Sequence, residues 1–150
     1  MPHTYVSNDL HCIFATKDRA PVLSTDFRKR LFEYLVGISR KYDIYLVAAG
    51  GTDDHVHLLI NLPATTTIAA AMKVVKGASS RWIHQVCPEA FDFVWQEGYG
   101  AFSVSRSHRQ KVIKYINNQA EHHKRYSFEE EYKTLLLRHG YSLQPDEYLK

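Results

Sequence analysis

His55-Val56-His57 is the first place in this chain where residue type and spacing point to chemistry. In a strand, residues i and i+2 project from the same face about 7 Å apart. Two imidazoles can therefore grip one cation while Val56 anchors the strand in a core behind them. Tyr115 and Gln119 form the second such pair. At i and i+4 of a helix, side chains are neighbours, with Cβ atoms ~5–6 Å apart, which sets a phenol beside an amide. A phenol whose ordinary pKa is about 10 is a weak nucleophile at neutral pH. A divalent cation polarising a target phosphate lowers the barrier from the other side, and Gln119 can lend that ion a neutral oxygen. Two imidazoles and one amide leave coordination positions open for substrate oxygens and water. Taken one at a time, each pattern also suits an ordinary role: surface histidines on a half-buried strand, and a tyrosine in an amphipathic core.

No other constellation competes. The chain has no phosphate-binding glycine loop and no nucleophile-elbow motif. A histidine-triad hydrolase would want a third histidine where this chain has Leu59. Cys12 and Cys87 are far apart, lack metal spacing and adjoin no evident base, which suits reduced thiols in a cytoplasmic protein.

The elements that must position these residues come from 150 residues, 45% hydrophobic and 23% charged. That length predicts a single domain over 1–150, able to bury roughly 68–70% of its unfolded surface. The composition excludes a disordered, collagenous or disulfide-stapled chain. No apolar run approaches the ~18 residues of a membrane span, and Met1-Pro2-His3-Thr4 does not open a signal peptide. The net charge of +3 is unevenly spread. Residues 1–72 balance seven basic groups with seven acidic, whereas residues 73–126 carry nine basic against four acidic. A basic middle with interleaved aromatics and His84, His108, His122 and His123 suits a phosphate-backbone partner, and equally a set of solvated helix faces.

Alternation predicts a strand over 5–15. Phe27, Leu31, Leu35 and Ile38 predict a helix over 25–41, behind a capping region at 24–26. Strands at 44–49 and 55–61 flank the turn Gly50-Gly51-Thr52-Asp53-Asp54, as a hairpin. Ile68, Met72, Val75, Ser79 and Ile83 carry a second helix to about Val86, ended by Cys87-Pro88. The aromatic stretch 91–102 reads as short strands around a turn. Ser107 with Gln110 opens a helix to about His123, and Ser127 with Glu130 opens a last one ending near Gly140. The order β-α-β-β-α-β-α-α predicts an α+β fold: a split β-α-β antiparallel sheet with helices on one face, plus C-terminal helices.

From Tyr5 to His123 the chain resembles the single-tyrosine HUH transposases, the TnpA-like enzymes of insertion sequences that move as single-stranded DNA. The matching pieces occur in order: Thr16, Lys17 and Arg19 after the first strand; Asp54-His55-Val56-His57-Leu58-Leu59; and Lys76-Gly77 with Ser79-Ser80. Trp95-Gln96 with Gly98-Tyr99, Phe102-Ser103-Val104-Ser105, and Tyr115-Ile116 with Asn118-Gln119 follow. His122-His123-Lys124 and the last helix look like the subgroup of REP-associated tyrosine transposases. The resemblance implies a ferredoxin-like homodimer in which Tyr115 attacks a DNA phosphate, giving a 5′-phosphotyrosine and a free 3′-hydroxyl. It implies that His55, His57 and Gln119 hold Mg²⁺ or Mn²⁺ and that the partner is single-stranded DNA with hairpin ends. Lys17, Arg19, Lys76, Arg109 and Lys114 are candidates for backbone contacts, or solvent-facing charges. Trp95, Tyr99 and Phe102 suit core packing first and base stacking second. The competing reading is a retired relative that binds DNA or RNA hairpins, against which all four site residues argue by being present. Replication initiators and relaxases are larger, and many carry two tyrosines in the active helix, whereas Tyr115 stands alone in its own.

Overall fold

The computed structural model describes residues 3–141, so the ends of the expected 1–150 domain lie outside the described residues. Seven residues of alternating type, Asp9–Ala15, form β1, which sits inside a four-stranded sheet. The strand starts at Asp9 rather than Tyr5, because residues 5–8 have no strand partner and Tyr5 is exposed. α1 spans Thr25–Arg40, β2 Tyr45–Gly51, β3 His55–Asn61, α2 Ile68–Val86 and β4 Gly100–Val104. The strand order is β2-β3-β1-β4 and every neighbouring pair is antiparallel. That is the split β-α-β arrangement the element order predicts.

The pleat divides the sheet into two faces. Leu10, Cys12 and Phe14 of β1 join Val56, Leu58 and Ile60 of β3 in the main core, against Leu31 and Leu35 of α1 and Met72, Val75 and Ile83 of α2. Fully burying such side chains stabilises by about 1.5–3 kcal/mol each, so this face fixes the register of β1 and β3. The opposite face then has no choice. It must carry Asp9, His11, Ile13 and Ala15 from β1, paired in register with Asn61, Leu59, His57 and His55 of β3.

Helices cover that second face too, which the sequence reading did not assign. The expected single helix from Ser107 is three pieces: a 3-10 turn at Arg106–His108, α3 over Arg109–Asn117 and α4 over Gln119–His122. Ser107 does not cap it, and the break falls at Asn118, whose φ of −107° and ψ of 21° leave the helical region. α3 crosses β2 and β3. α5, Phe128–Arg138, is capped as expected, Ser127 accepting from the Glu130 amide, and lays Phe128 on Ile13, Ala15 and Phe102. The stretch 91–102 yields only a bridge between Trp95 and Thr16 before β4 begins. Trp95 and Phe102 are buried in packing roles, whereas Tyr99 is 39% exposed.

Gly50 and Gly51 belong to β2 rather than to the turn, which narrows to Thr52, Asp53 and Asp54. The reason is a close approach. A Cβ on Gly50 would lie 2.0 Å from the carbonyl oxygen of Ile116 and 2.9 Å from its carbon. Only a glycine lets α3 come down this far onto β2. Gly50→Ala should therefore lift the tyrosine helix and destabilise the protein by about 1–3 kcal/mol, measured by denaturant unfolding; an unchanged midpoint would contradict the close packing.

Candidate active site

The site lies on the second face of the sheet, in the seam between α3–α4 and α5. Its frame is the alternation of β3, which puts Val56 into the main core and turns His55 and His57 the other way, both fully buried. Each imidazole is oriented from behind. His55 Nδ1 lies 2.8 Å from Asp54 Oδ1 and 3.0 Å from Thr52 Oγ1. Burial opposes the charge on Asp54, but hydrogen bonds from His55 and Arg19 prevail and hold its pKa down at about 2. This ionised carboxylate accepts from Nδ1 of His55, which turns Nε2 toward the seam. His57 Nδ1 lies 2.8 Å from Nε2 of His11, the next inward histidine on β1.

Tyr115 and Gln119 reach the same place from α3 and α4. The break at Asn118 lies between them, and both still face the sheet. Gln119 is buried, its Oε1 at 3.4 Å from His55 Nε2 and 3.0 Å from His123 Nε2. The tyrosine ring stands edge-on to His57 and His11, with ring centroids 5.9 and 6.0 Å apart. All four residues singled out from the sequence thus come together within one chain.

What the sequence reading missed is the group at their centre. Glu131, one turn into α5, brings a buried carboxylate into the middle of the cluster. Its Oε1 is 2.9 Å from His57 Nε2, 3.1 Å from His123 Nε2 and 3.7 Å from His55 Nε2. Its Oε2 accepts from Gln119 Nε2 at 3.1 Å, lies 3.0 Å from His122 Nε2, and accepts the Tyr115 hydroxyl in a short hydrogen bond. The only sequence signal for Glu131 was the Ser127 cap that places α5; nothing in its spacing links it to residues 55 or 115. Arg19 fastens this helix, pairing with Asp54 and Glu129 while its guanidinium lies 4.3 Å over the Phe128 ring.

The electrostatics follow from burial. His57 is pushed down to about 4 by burial, partly offset by its hydrogen bond to Glu131, and His11 to about 3 by burial and the neighbouring His57. At neutral pH both rings are uncharged, the form a metal requires. Burial would raise the Glu131 carboxyl, but hydrogen bonds from His123 and His57 outweigh it and keep the group ionised. Burial, then the Glu131 hydrogen bond and charge, raise Tyr115 above an ordinary phenol. In this arrangement the hydroxyl is neutral and aimed.

A divalent cation fits this donor set. The ligand atoms of His55, His57, His123 and Glu131 all lie within 4.8 Å of one another. With Asp54 on its Nδ1, His55 faces two acceptor oxygens through Nε2, Oε1 of Gln119 at 3.4 Å and Oε1 of Glu131 at 3.7 Å, and a cation between them has all three as donors.

Tyr115 also opens outward, into a cleft of about 650 Å³ bordered by Lys111, Lys114, Arg125 and Tyr126. Of the five basic residues singled out for phosphate contacts, Lys114 borders this cleft. Lys17 is exposed and borders a different cavity, of about 580 Å³. The other three have internal partners. Arg19 is the α5 clasp; Lys76 Nζ donates to the carbonyls of Gln96 and Gly98 at 2.7 and 2.9 Å; Arg109 forks onto buried Asp9 at 2.8 and 3.2 Å. The structure gives these three a bracing role, and it adds Lys111 and Arg125 as cations beside the tyrosine.

His11 and His57 have folded pKa values below their ordinary 6.5, so the unfolded chain takes up protons that the fold resists. Their contribution to stability is complete above about pH 6.5 and declines as pH falls toward about 4. Thermal melts of metal-free protein should show Tm falling across that window, and His11→Gln should flatten the fall; a constant Tm would contradict two neutral buried rings.

Comparison with known proteins agrees with the geometry. The family model for IS200-like transposases matches residues 4–119, which include β3, Tyr115 and Gln119 but end before His122, His123 and Glu131. The ISDra2 transposase TnpA of Deinococcus radiodurans is 28% identical over 116 residues, 74% of this chain and 83% of that protein. The transposase for insertion sequence element IS200 of Salmonella typhimurium is 24% identical over 129 residues, 83% of this chain and 84% of that one. A crystal structure from Deinococcus radiodurans R1 assigned to a transposase superposes with a TM-score of 0.64 at 30% identity, covering 79% of this chain and 96% of that chain. A REP-associated tyrosine transposase bound to a REP hairpin shares the fold, with a TM-score of 0.56 at 13% identity over 99% of this chain and 78% of that one. With one family model spanning most of its length, the chain belongs to the IS200-like transposases, a family of DNA-processing enzymes.

Proposed function

We propose that this transposase cleaves and rejoins single-stranded DNA through a covalent bond to Tyr115. One observation carries the reading: Tyr115, His55, His57 and Gln119, drawn from a strand and two helices, meet around a single carboxylate. The Tyr115 oxygen attacks the scissile phosphorus, the new O–P bond forms as the bond to the 3′ oxygen breaks, and the products are a 5′-phosphotyrosine and a free 3′-hydroxyl. The phenolic proton leaves along the existing hydrogen bond to Glu131 Oε2, an ionised acceptor, and a proton from solvent water completes the 3′-hydroxyl on the departing oxygen. His55, His57 and Gln119 hold Mg²⁺ or Mn²⁺, which when bound polarises the phosphate. The reverse attack by a 3′-hydroxyl restores the phosphodiester, so strands are transferred without a nucleotide cofactor.

Lys111, Lys114 and Arg125 guide the strand along the cleft to Tyr115. The substrate is single-stranded DNA carrying hairpin ends, and the hairpin held by the REP-associated relative of the same fold supports this reading. The working form is a homodimer, as the family resemblance implies, and free thiols at Cys12 and Cys87 suit a cytoplasmic setting.

Incubation with labelled single-stranded oligonucleotides from the DNA flanking its gene should give a protein–DNA adduct on a denaturing gel. Tyr115→Phe should abolish that adduct while leaving hairpin binding nearly unchanged; an undiminished adduct would remove Tyr115 from the chemistry. EDTA should stop cleavage, with Mg²⁺ or Mn²⁺ restoring it, and full cleavage in chelator would exclude the cation.

A further inference from the structure

We infer that Glu131 is itself a metal ligand, so that α5, a helix beyond the family-matched segment, completes a centre made of His55, His57, His123 and Glu131. The inference rests on the proposed reading that His55 and His57 hold a cation, and it extends the ligand set past Gln119.

Three observations support it. First, Oε1 of Glu131 is the point on which the Nε2 atoms of His57, His123 and His55 converge, at 2.9, 3.1 and 3.7 Å. Ligands held ~2.0–2.2 Å from one ion stand roughly 3–4.4 Å apart, so only small movements separate this hydrogen-bonded set from a coordinating one. Second, Glu131 is buried without a fixed cation. Its partners are imidazoles, an amide and a phenol, and among the described residues no lysine or arginine pairs with it. A buried carboxylate is costly unless a positive charge or several hydrogen bonds compensate it, and a divalent cation supplies the charge. Third, the supports behind the ligands already stand in place, Asp54 behind His55 and His11 behind His57.

The donor set also selects the ion. Mg²⁺ prefers an octahedron of oxygens and retains its water, whereas imidazole nitrogens favour first-row transition cations. Three imidazole nitrogens, beside the Glu131 carboxylate oxygen and the Gln119 amide oxygen, therefore favour Mn²⁺ over Mg²⁺ in this protein. The two carboxylate oxygens divide the work: Oε1 faces the cation and Oε2 keeps the Tyr115 hydroxyl, tying the nucleophile to the metal through one side chain.

The test is calorimetric titration of the metal-free full chain with Mn²⁺, with Co²⁺ absorption reporting coordination. Wild-type protein should bind one Mn²⁺ that excess Mg²⁺ displaces poorly. Glu131→Gln should weaken binding by at least the about 10–100-fold that loss of a supporting residue costs at metal sites, and should change the Co²⁺ spectrum. Glu131→Asp, which keeps the charge, should fall between the two and serves if Glu131→Gln misfolds. His57→Ala should lose binding altogether. Wild-type affinity and an unchanged Co²⁺ spectrum in Glu131→Gln, beside a His57→Ala that has lost the ion, would overturn the inference and leave the proposed function standing. Tighter binding by Glu131→Gln would overturn it too, since the carboxylate would then be a plug. Absence of Mn²⁺ uptake by the wild type would sink both readings.

Discussion

A carboxylate buried between a β-sheet and two helical segments is the constraint around which this molecule is arranged. Isolated, Glu131 could not stay charged there; the fold answers with hydrogen-bonding partners drawn from β3, α3, α4 and α5's own approach. Leaving any one buried polar partner unpaired would cost about 1–3 kcal/mol, so the network acts as a unit that sets the relative positions of the elements it joins. The aim of Tyr115 is one product of that arrangement. The neutrality of His57 and His11 is another, because burial keeps both rings uncharged and able to act as ligands or acceptors.

The sheet makes this possible by separating duties between its faces. One face holds an ordinary apolar core, and the energy of that core pins β1 and β3 in register. With register fixed, β3 can afford two fully buried histidines on the other side. Gly50 contributes in a different way, by lacking a side chain where α3 crosses β2. Arg19 closes the other side of the seam by holding α5 to Asp54, the residue that also orients His55. Site and fold therefore share the same contacts.

The division of the basic residues has a similar logic. Arg109 and Lys76 donate to a buried carboxylate at Asp9 and to two backbone carbonyls, and those bonds are worth more than facing solvent. Lys111, Lys114 and Arg125 border the cleft that opens on Tyr115, where a phosphate backbone has room to pass. Counting charges along the sequence cannot separate the two groups, because both lie in the same basic stretch.

The sequence by itself determined the order of elements, the antiparallel split β-α-β sheet, the pairing of His55 with His57 and the neighbourhood of Tyr115 with Gln119. These are short-range matters: periods of 2 and 3.6 residues record which side chains share a face. It missed the break at Asn118 and the placement of Gly50 within β2, since both depend on how α3 meets the sheet. Only the tertiary structure brought His11, His123 and Glu131 to the histidine strand. Glu131 is 74 residues from His57 in sequence and 2.9 Å away in space; no local period records a contact made by packing two distant helices on one sheet face.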